Sequence, residues 1–497
     1  MTLAACQKRA LGAAETALAS VRVFGRSRSQ HTVSASGSPS SKKFRPPTPP
    51  AGIPLSKIFD NLFPLSYSES FQQWREREEK GDSAQDAVLS MMPFYPHRET
   101  RSVVQQTVDG EKVDLYREGR VIKTPVGDSE FINEFEISQY KQDGSAVADA
   151  DTHHILVLHG YGAGLGFFFR NFNALSKLPN SQIHALDLLG YGLSSRPSFH
   201  IRSDPRISLF KKWDEQVSIA ENFFLDSIEE WRVKKGIDKF SVVAHSLGAY
   251  LISEYAVKYP GHIDKIVLAS PAAVSHTGMQ FAQDELSDKG KLSDKGKLSD
   301  KGKLSDKGKL SDKKASLKDI SQASIDTNPT FTTAESKIPK IPLWFKIGWE
   351  LNFSPFALVR QTGPLGPRFV SGWTSRRFPV DNHTSEDESK AMHRYTYEIF
   401  RRKGSGEFCL NYLLAPGAVP RRPLVERVHK LGELGIKTTW VYGSNDWVDV
   451  NGGHESARRI NKAGGDASVH VVPGAGHQLY MDQPSKFNQI VVDFLRR

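Results

Sequence analysis

The stretch KFSVVAHSLGAYLISEYAVKYP, residues 239–260, constrains the fold of this chain more than any other part of the sequence. Its first half is a short apolar run that predicts a buried strand, and the pattern over 247–259 predicts an amphipathic helix. Ser246 lies between them, at the tip of a turn so sharp that small residues must flank it. Ala244 and Gly248 meet that requirement. The stretch therefore predicts a strand, a tight turn with an exposed serine, and a helix.

Similar apolar runs alternate with helical patterns along much of the chain. Near-continuous apolar runs are typical of parallel strands that are buried on both faces. The segments SVVQQTV and EFINEFEIS alternate apolar with polar residues instead, and they predict opening antiparallel strands. We therefore predict an α/β fold with a mostly parallel, doubly wound sheet. The predicted parallel strands are 155–158, one that starts at 183, 240–244, 263–270, 437–443 and 467–474, and the main predicted helices are 208–235, 247–259 and 484–496.

This alternation is lost over 271–423, where we expect a cap, or lid, inserted before the predicted strand 437–443. The α/β core is then 102–270 together with 424–497, and a helical, aromatic segment at 55–101 precedes it. The cap includes LSDKGK repeats within 286–315. One apolar side chain in six cannot bury a face at helical or strand period, so we predict that this repeat is solvated, disordered and without chemistry.

The N-terminal part of the chain has the composition of a targeting sequence. Residues 1–50 contain eight Lys or Arg but a single acid, Glu15, and they are rich in Ala and Ser. Leucines recur there at near-helical spacing without a compact apolar core, which is typical of a mitochondrial presequence. A disordered basic tail is the alternative. We predict a presequence and disordered linker over 1–54, and a mitochondrial protein that is peripheral on the inner membrane.

Charge, cysteines and hydropathy exclude several classes of function. The net charge of +10 lies mainly in residues 1–50 and in the repeat at 286–315. The rest of the chain is close to neutral, so we predict no nucleic-acid partner. The two cysteines, Cys6 and Cys409, form neither a disulfide framework nor a zinc-type spacing. No apolar run reaches the roughly 18 residues that span a bilayer, so we predict no transmembrane helix and only peripheral membrane contact.

Two motifs downstream of Ser246 supply the partners that a nucleophilic serine needs. A serine hydroxyl requires a base that takes its proton and an acid that orients that base. His477, in GAGHQLYMDQP, follows the last predicted strand and is the predicted general base. Asp446 ends a Gly-x-x-Asp turn after the preceding strand and is the predicted acid. Asp449, three residues later, is the alternative acid, and the carboxylate that is not used would cap a loop or helix.

The oxyanion formed during acyl transfer needs preorganised N–H donors. We predict the backbone amide of Leu247, at the start of the helix, and the amide of Tyr161, in the Gly-rich turn HGYGAG at 159–164. A Gly-rich loop after a strand can instead bind phosphate, but this one does not fit the dinucleotide fingerprint. Asp187 and the neighbouring histidine of the elbow, His245, are predicted to be turn residues. We predict neither a metal nor a cofactor.

Several segments together resemble one branch of the α/β-hydrolase family. They are HGYGAGLGFFFRNF, ALDLLGYGLSSRP, DSIEEWR, AHSLGAYLISEYAVKYP, DWVD and GAGHQLYMDQP, and the resemblance covers about 102–275 and 424–497. The branch contains the lipid-droplet lipase coactivator, N-acyl-phospholipid and lysophospholipid-cleaving relatives, and the fungal mitochondrial cardiolipin-specific deacylase. The coactivator lacks the nucleophilic serine, so Ser246 implies activity here. The presequence-like tail favours the deacylase. Ala244, where the family usually has Gly, is a mild departure.

The resemblance implies a phospholipid substrate at a membrane surface. We expect a serine acyl hydrolase of phospholipase A type that converts cardiolipin to monolysocardiolipin. The family is also associated with an acyltransferase motif, His-x4-Asp, which His477 and Asp482 fit. Asp482 could equally cap the final helix, since Gln483 and Pro484 follow it. A lysophosphatidate acyltransferase using acyl-CoA and a non-catalytic lipid-binding coactivator therefore remain alternatives.

Overall fold

A computed structural model describes residues 63–76, 83–95, 102–108, 111–147, 151–201, 209–276, 347–349, 351–380 and 384–496. The predicted presequence and linker over 1–54 and the repeat at 286–315 lie outside these residues. Both therefore stay predictions.

The described residues form one large sheet and one short hairpin. The strands are β1 (Ser102–Val108), β2 (Glu111–Val126), β3 (Glu130–Tyr140), β4 (His153–Leu158), β5 (Ser181–Leu186), β6 (Phe240–His245), β7 (Ile263–Ala269), β8 (Leu414–Ala415), β9 (Val419–Pro420), β10 (Lys437–Gly443) and β11 (Ala467–Val472). The sheet has the order β1-β2-β3-β5-β4-β6-β7-β10-β11, and β8 pairs with β9. The pairs from β1 to β5 are antiparallel, and the pairs from β5 to β11 are parallel. The predicted α/β fold with a mostly parallel sheet is confirmed.

The long strand β2 is the main element of the sheet that the sequence pattern did not reveal. Its burial alternates irregularly, and it contains Gly119 and Pro125, which are both uncommon inside strands. A Cβ atom at Gly119 would lie 2.5 Å from the ring of Phe135, so a side chain does not fit there. The glycine is thus explained by close packing between β2 and β3, which only the tertiary structure shows.

Helices cover both faces of the sheet. They are α1 (Tyr67–Glu76), α2 (Ser83–Leu89), α3 (Phe169–Leu175), α4 (Leu209–Lys235), α5 (Leu247–Lys258), α6 (Pro355–Gln361), α7 (Gly366–Arg377), α8 (Glu386–Arg401), α9 (Leu410–Leu413), α10 (His429–Glu433), α11 (Val450–Lys462), α12 (Leu479–Asp482) and α13 (Pro484–Arg496). None of these described helices is both long and apolar enough to cross a membrane.

Successive residues of the central strands belong to two separate apolar cores. Leu156 and Leu158 pack into one core with α4 and α5, whereas Ile155 and Val157 pack into the other with α3 and α13. Side chains alternate between the two faces of a strand, so a strand that contributes to both cores must be apolar at every position. This requirement explains the continuous apolar run ILVL. Because these strands are parallel, their carboxyl ends lie at one common edge of the sheet.

Helices α6, α7 and α8 lie between β7 and β10, and the N-terminal helix α1 packs against them. The hydroxyl of Ser70 donates to the carbonyl of Pro364 and accepts a hydrogen bond from the amide of Arg368 at 3.0 Å. The ring of His393 in α8 lies 3.0 Å from the amide oxygen of Gln73. Helix α2 also packs against α8, so the segment that we predicted to precede the core contributes both of its described helices to the packing of the cap.

A buried carboxylate joins β2, β3, β5 and α4 on one face of the sheet. Glu134 accepts hydrogen bonds from His184 at 2.7 Å, Thr124 at 2.9 Å and Trp231 at 3.0 Å. The ammonium of Lys235 lies 3.3 Å away. Burial opposes the charged form of Glu134, but the hydrogen bond and charge of His184 and the charge of Lys235 lower the pKa of this carboxyl to about 2.

We predict that Glu134 makes the stability of the fold decrease as the pH falls through the acidic range. Its pKa in the fold lies below the ordinary value of 4.5, so the ionised group stabilises the fold above that pH. This contribution, about 3 kcal/mol, is lost as the pH falls towards 2. Glu134→Gln should lower the free energy of unfolding at pH 7 and have much less effect at pH 3, as measured by urea unfolding. Glu433→Gln, on the surface, is the control, and equal destabilisation at both pH values would contradict the prediction.

Candidate active site

Ser246 occupies the turn between β6 and α5 in a strained backbone conformation. Its φ is 51° and its ψ is −114°, a region that non-glycine residues rarely adopt. Its amide donates to the carbonyl of Ala269 at 2.9 Å, and its carbonyl accepts from the amide of Ala272 at 3.1 Å. A Cβ atom at Gly248 would lie 2.5 Å from the carbonyl oxygen of His159, so the helix can begin this close to the sheet only with glycine. The predicted elbow is thus present, with the small residue required.

His477 lies within hydrogen-bonding distance of both predicted partners. Its Nε2 atom is 3.1 Å from Oγ of Ser246, and its Nδ1 atom is 3.0 Å from Oδ1 of Asp446. An ionised carboxylate only accepts hydrogen bonds, so Nδ1 carries the proton and Nε2 is left to accept the one from the serine hydroxyl. This is the proton arrangement that a general base for serine requires.

Asp446 is fixed by the turn that follows β10. Its amide donates to the carbonyl of Gly443 at 3.2 Å, and its Oδ1 atom accepts from the amide of Val448 at 3.0 Å. The side chain is 2% exposed. Within the part of the chain that the structure describes, Oδ2 of Asp446 is buried without a hydrogen-bond donor. Among the residues that the structure describes, the imidazole of His477 is the ionisable donor to this buried carboxylate.

Asp449, the alternative acid, has another function in the structure. It is the N-cap residue of α11, where its carboxylate accepts a hydrogen bond from the amide of Asn451 at 2.9 Å. Such a bond satisfies one of the free amides at the start of a helix. The structure therefore brings Asp446, and not Asp449, to the ring of His477.

The turn after β4 lies directly against Ser246. A Cβ atom at Gly160 would lie 2.9 Å from Cβ of Ser246 and 2.8 Å from Nδ1 of His245. The absence of a side chain lets the peptide between Gly160 and Tyr161 approach the serine. Leu247, which supplies the other expected oxyanion donor, is the first residue of α5. The oxyanion function of the amides of Tyr161 and Leu247 stays a prediction, and their positions are compatible with it.

Side chains of the cap fill the space beside the other glycines of this turn. The ring of Phe356 packs on Gly162, where a Cβ atom would lie 2.8 Å from the ring. Side chains at Gly164 and Gly166 would overlap Tyr395 of α8, whose hydroxyl accepts from the amide of Gly166 at 3.1 Å. These contacts explain the glycine spacing without a phosphate ligand. They also support the prediction that this is not a nucleotide-binding loop.

His159 and Asp187 hold the same turn from within the core. His159 Nδ1 donates to the carbonyl of Gly160 at 2.8 Å, and its Nε2 accepts from the amide of Leu188 at 3.1 Å. Burial lowers the pKa of His159, which agrees with a neutral ring. Asp187 accepts hydrogen bonds from the amides of Leu165 at 2.7 Å and Leu193 at 2.8 Å. Both residues are thus part of the turn architecture, as predicted for Asp187.

Sequence reasoning missed the contribution of His245. Its Nε2 atom donates to the backbone carbonyl of His477 at 3.0 Å, and the two rings are 4.8 Å apart. Burial, followed by the proximity of His477, lowers the pKa of His245 well below its ordinary value. A neutral ring with its proton on Nε2 therefore positions the loop of the predicted base. The contact joins residues 232 apart in sequence, so no local pattern could have indicated it.

Trp447 is a second neighbour that the sequence did not single out. Its ring lies 4.6 Å from that of His477 at an interplanar angle of 39°, and the side chain is 37% exposed. It therefore covers one face of the imidazole at the mouth of the site. A small cavity beside it is lined by Ala272, Ala273, Val274, Ser275, Leu414, Ala418, Pro420, Trp447, Val448 and Asp449.

Asp482 does not have the contacts that we expected. Its Oδ2 atom accepts a hydrogen bond from the amide of Gly476 at 2.8 Å, and its Oδ1 atom accepts one from Arg377 of the cap. Neither contact is with the ring of His477, as the acyltransferase motif would require. Asp482 also ends α12, and its carboxylate binds the loop before that helix. The predicted helix-capping role is wrong, because Gln483 precedes α13 directly and its carbonyl accepts the first bond of that helix, from the amide of Phe487 at 3.0 Å.

One group of side chains in the described residues has a spacing that suits a metal ion. The ligand atoms of Glu134, Glu136 and His184 lie within 4.8 Å of one another. The ammonium of Lys235 contacts Glu134 at 3.3 Å and Glu136 at 2.5 Å, so a side-chain cation already bridges the two carboxylates. The group belongs to the buried network around Glu134, on strands β3 and β5, and is separate from Ser246.

Comparisons with known proteins agree with this fold. The family model of the alpha/beta hydrolase fold matches residues 153–298 of this chain. A 1-acylglycerol-3-phosphate O-acyltransferase of Arabidopsis thaliana is 31% identical over 346 residues, which cover 69% of this chain and 66% of that protein. The chain thus spans just under two thirds of the length of this relative.

Two human proteins are similar over almost the same share of the chain. ABHD5, named 1-acylglycerol-3-phosphate O-acyltransferase, is 27% identical over 342 residues, which cover 68% of this chain and 76% of ABHD5. A (lyso)-N-acylphosphatidylethanolamine lipase is 26% identical over 344 residues, which cover 68% of this chain and 77% of the lipase. The chain therefore belongs to the α/β-hydrolase family of ABHD5 and the (lyso)-N-acylphosphatidylethanolamine lipases.

Proposed function

We propose that this protein is a serine acyl hydrolase that removes a fatty acyl chain from a phospholipid, with cardiolipin as its substrate. The observation that carries the proposal is the continuous hydrogen-bonded chain from Ser246 through His477 to Asp446. The serine adopts a strained, positive φ at the end of a central strand, as a nucleophile presented to a substrate does.

The geometry supports covalent catalysis in two steps. The hydroxyl of Ser246 attacks the ester carbonyl while His477 Nε2 takes its proton, and Asp446 stabilises the resulting imidazolium. The imidazolium returns the proton to the departing lysophospholipid, leaving an acyl-serine. Water, deprotonated by the same imidazole, then releases the fatty acid and regenerates the serine. The amides of Tyr161 and Leu247 are the proposed donors to the oxyanion.

The surface of the cap supports a lipid substrate. Phe356 stacks on Tyr161 with ring centroids 5.4 Å apart and an interplanar angle of 30°, so the cap lies directly over the predicted oxyanion turn. The same segment exposes Leu351 by 75% and Phe353 by 59%. Apolar side chains this exposed near a catalytic site are typical of a surface that meets lipid. A phospholipid at a membrane surface fits this arrangement better than a small soluble ester.

The choice of cardiolipin and of mitochondria depends on the N-terminal composition and on the family resemblance. The basic, nearly acid-free segment over 1–50 favours import into mitochondria, and membrane attachment there would be peripheral. Cardiolipin is the acyl-remodelled phospholipid implied by the deacylase that this branch contains. The names of the relatives support glycerophospholipids or their lysolipids as the substrate class.

Acyl transfer to lysophosphatidate is the second candidate. It is favoured by the names of two relatives and by the spacing of His477 and Asp482. The contacts of Asp482 with Gly476 and Arg377 weigh against it, because they leave the carboxylate away from the ring of His477. A coactivator without catalysis is the third candidate, and the hydrogen-bonded arrangement of Ser246, His477 and Asp446 weighs against that one.

We predict that Ser246→Ala abolishes phospholipid hydrolysis. The full chain should release fatty acid and monolysocardiolipin from vesicles of cardiolipin and phosphatidylcholine, followed by mass spectrometry. Loss of the nucleophile should lower this rate at least about 1,000-fold while vesicle binding is kept. Ser253→Ala is the control, since Ser253 lies on the helix after the elbow and donates to the carbonyl of Ala249.

Other outcomes would point to the other candidates. Phosphatidate formed from lysophosphatidate and acyl-CoA, faster than fatty acid is released, would replace the hydrolase with an acyltransferase. Vesicle binding without turnover, equal in the parent protein and in Ser246→Ala, would indicate a coactivator. Hydrolysis of phosphatidylethanolamine or phosphatidylcholine in preference to cardiolipin would keep the reaction but overturn the substrate.

We predict that the two candidate acids behave differently on substitution. Asp446→Asn should lower kcat about 10,000-fold, because the amide no longer selects the tautomer that leaves Nε2 free to accept. Asp449→Asn should leave kcat nearly unchanged, because asparagine caps a helix about as well as aspartate. Both rates are measured with a soluble short-chain ester, and urea unfolding confirms that the variants are folded. A near-normal kcat for Asp446→Asn would refute the assignment of the acid.

A further inference from the structure

We propose that Asp482 and Arg377 are positioning residues for His477, and that this pair couples the catalytic histidine to the cap. The proposal depends on the proposed function, because it deepens the description of the same site. It gives Asp482 a function that differs from that of an acid in an acyltransferase motif. The pair connects two parts of the fold, since Arg377 is the last residue of α7 and Asp482 is the last residue of α12.

The carboxylate of Asp482 binds the residue before the catalytic histidine. Its Oδ2 atom accepts a hydrogen bond from the amide of Gly476 at 2.8 Å. A carboxylate that accepts from a backbone amide forms a charge-assisted bond, which is stronger than a neutral one. The backbone on the N-terminal side of His477 is therefore attached to a fixed anion six residues later in the chain.

The guanidinium of Arg377 binds the residue after the catalytic histidine. It donates from Nε to the side-chain oxygen of Gln478 and from Nη2 to the backbone carbonyl of Gln478 at 3.2 Å. Its Nη1 atom donates to Oδ1 of Asp482. A planar guanidinium can make all three bonds at once, because its donors lie in a fixed fork. Arg377 and Asp482 thus hold the two residues that flank His477, Gly476 and Gln478.

The environment of the pair makes these contacts effective. The side chains of Arg377 and Asp482 are 22% and 20% exposed, so water screens them only in part. The carbonyl of Gln478 also accepts from the amide of Met481 at 2.8 Å, which continues the loop into α12. His245 donates to the carbonyl of His477 from the other side. The backbone of the histidine loop is therefore bound at three consecutive residues.

The position of Arg377 is determined by the cap. The next residue, Phe378, is buried and packs against Phe167 and Trp373 with ring centroids 6.1 and 6.0 Å apart. A movement of α7 would therefore displace the guanidinium and release Gln478 and Asp482 together. The hydrogen bonds to Ser246 and Asp446 both depend on the position of the His477 ring. The pair therefore makes these two hydrogen bonds depend on the position of the cap.

The test compares Arg377→Gln, Asp482→Asn and the double variant in the full chain. Each single variant should lower kcat about 10-fold to 100-fold for a soluble short-chain ester, with KM changed little, because a misplaced base slows the chemical step. The double variant should be no slower than the slower single variant, since both changes break the same unit. Arg377→Lys should recover part of the lost rate, because it keeps the ion pair with Asp482 but cannot make the fork.

A surface ion pair supplies the matched control. Arg458 and Glu455 pair within α11 at 2.7 Å, with the arginine 62% exposed. Arg458→Gln should leave kcat unchanged. A role in stability alone would lower the unfolding midpoint of the variants without the loss of kcat, so unfolding is measured by urea in parallel. Rates of labelling of Ser246 by a fluorophosphonate, which requires the activated serine, should fall in proportion to kcat.

The outcomes separate this inference from the proposed function. If the parent protein hydrolyses esters and Arg377→Gln matches Arg458→Gln, the positioning pair is refuted and the hydrolase stands. If losses in the single variants add in the double variant, the two residues act independently and the pair is likewise refuted. If the parent protein neither hydrolyses esters nor reacts with the fluorophosphonate, the proposed function fails first. A large rise in KM at constant kcat would assign Arg377 to substrate binding instead.

Discussion

The close approach of three backbone segments at Ser246 is the constraint on which the rest of the site depends. The serine has a φ of 51°, a conformation that costs about 1–3 kcal/mol and persists only when its surroundings determine it. The end of β7 and the residues just after it supply those surroundings through hydrogen bonds to the serine backbone, and glycines at 160 and 248 permit the contacts with the turn after β4. These backbone contacts therefore hold Ser246 in its strained conformation.

Features with a local cause could be predicted from the sequence. A strand buried on both faces must be apolar throughout, which is why the runs near 155 and 240 indicated β4 and β6 with small errors in their ends. The turn at Ser246 needs small neighbours for steric reasons, and the fold presents serine, acid and histidine in one order along the chain. The position of Asp446 in the turn after β10 followed from the same reasoning, and the structure brings it, and not Asp449, to His477.

Features that depend on contacts between distant segments could not be predicted. His245 contacts His477 across 232 residues, and Arg377 contacts Asp482 across 105. Side chains in such pairs show no periodicity in the sequence, because each one contacts a partner in a distant part of the chain. Asp482 is an example, because its sequence context suggests both a helix cap and an acyltransferase motif. In the structure its two carboxylate oxygens instead bind the amide of Gly476 and the guanidinium of Arg377. The glycines that pack against cap side chains are a further example. Their spacing is evident in the sequence, but the side chains that require it are evident only in the structure.

Side chains of the cap contact both the turn that carries a predicted oxyanion donor and the loop of the predicted general base. Phe356 packs on the turn that carries one predicted oxyanion donor, while Arg377 binds the loop of the general base. An acyl-serine is consumed by whichever hydroxyl compound reaches it together with a correctly placed histidine. Water and a lysolipid hydroxyl compete for that intermediate, and the cap governs the access of both as well as the position of His477. In the proposed reaction, the position of the cap is therefore the physical variable that would select between hydrolysis and transfer.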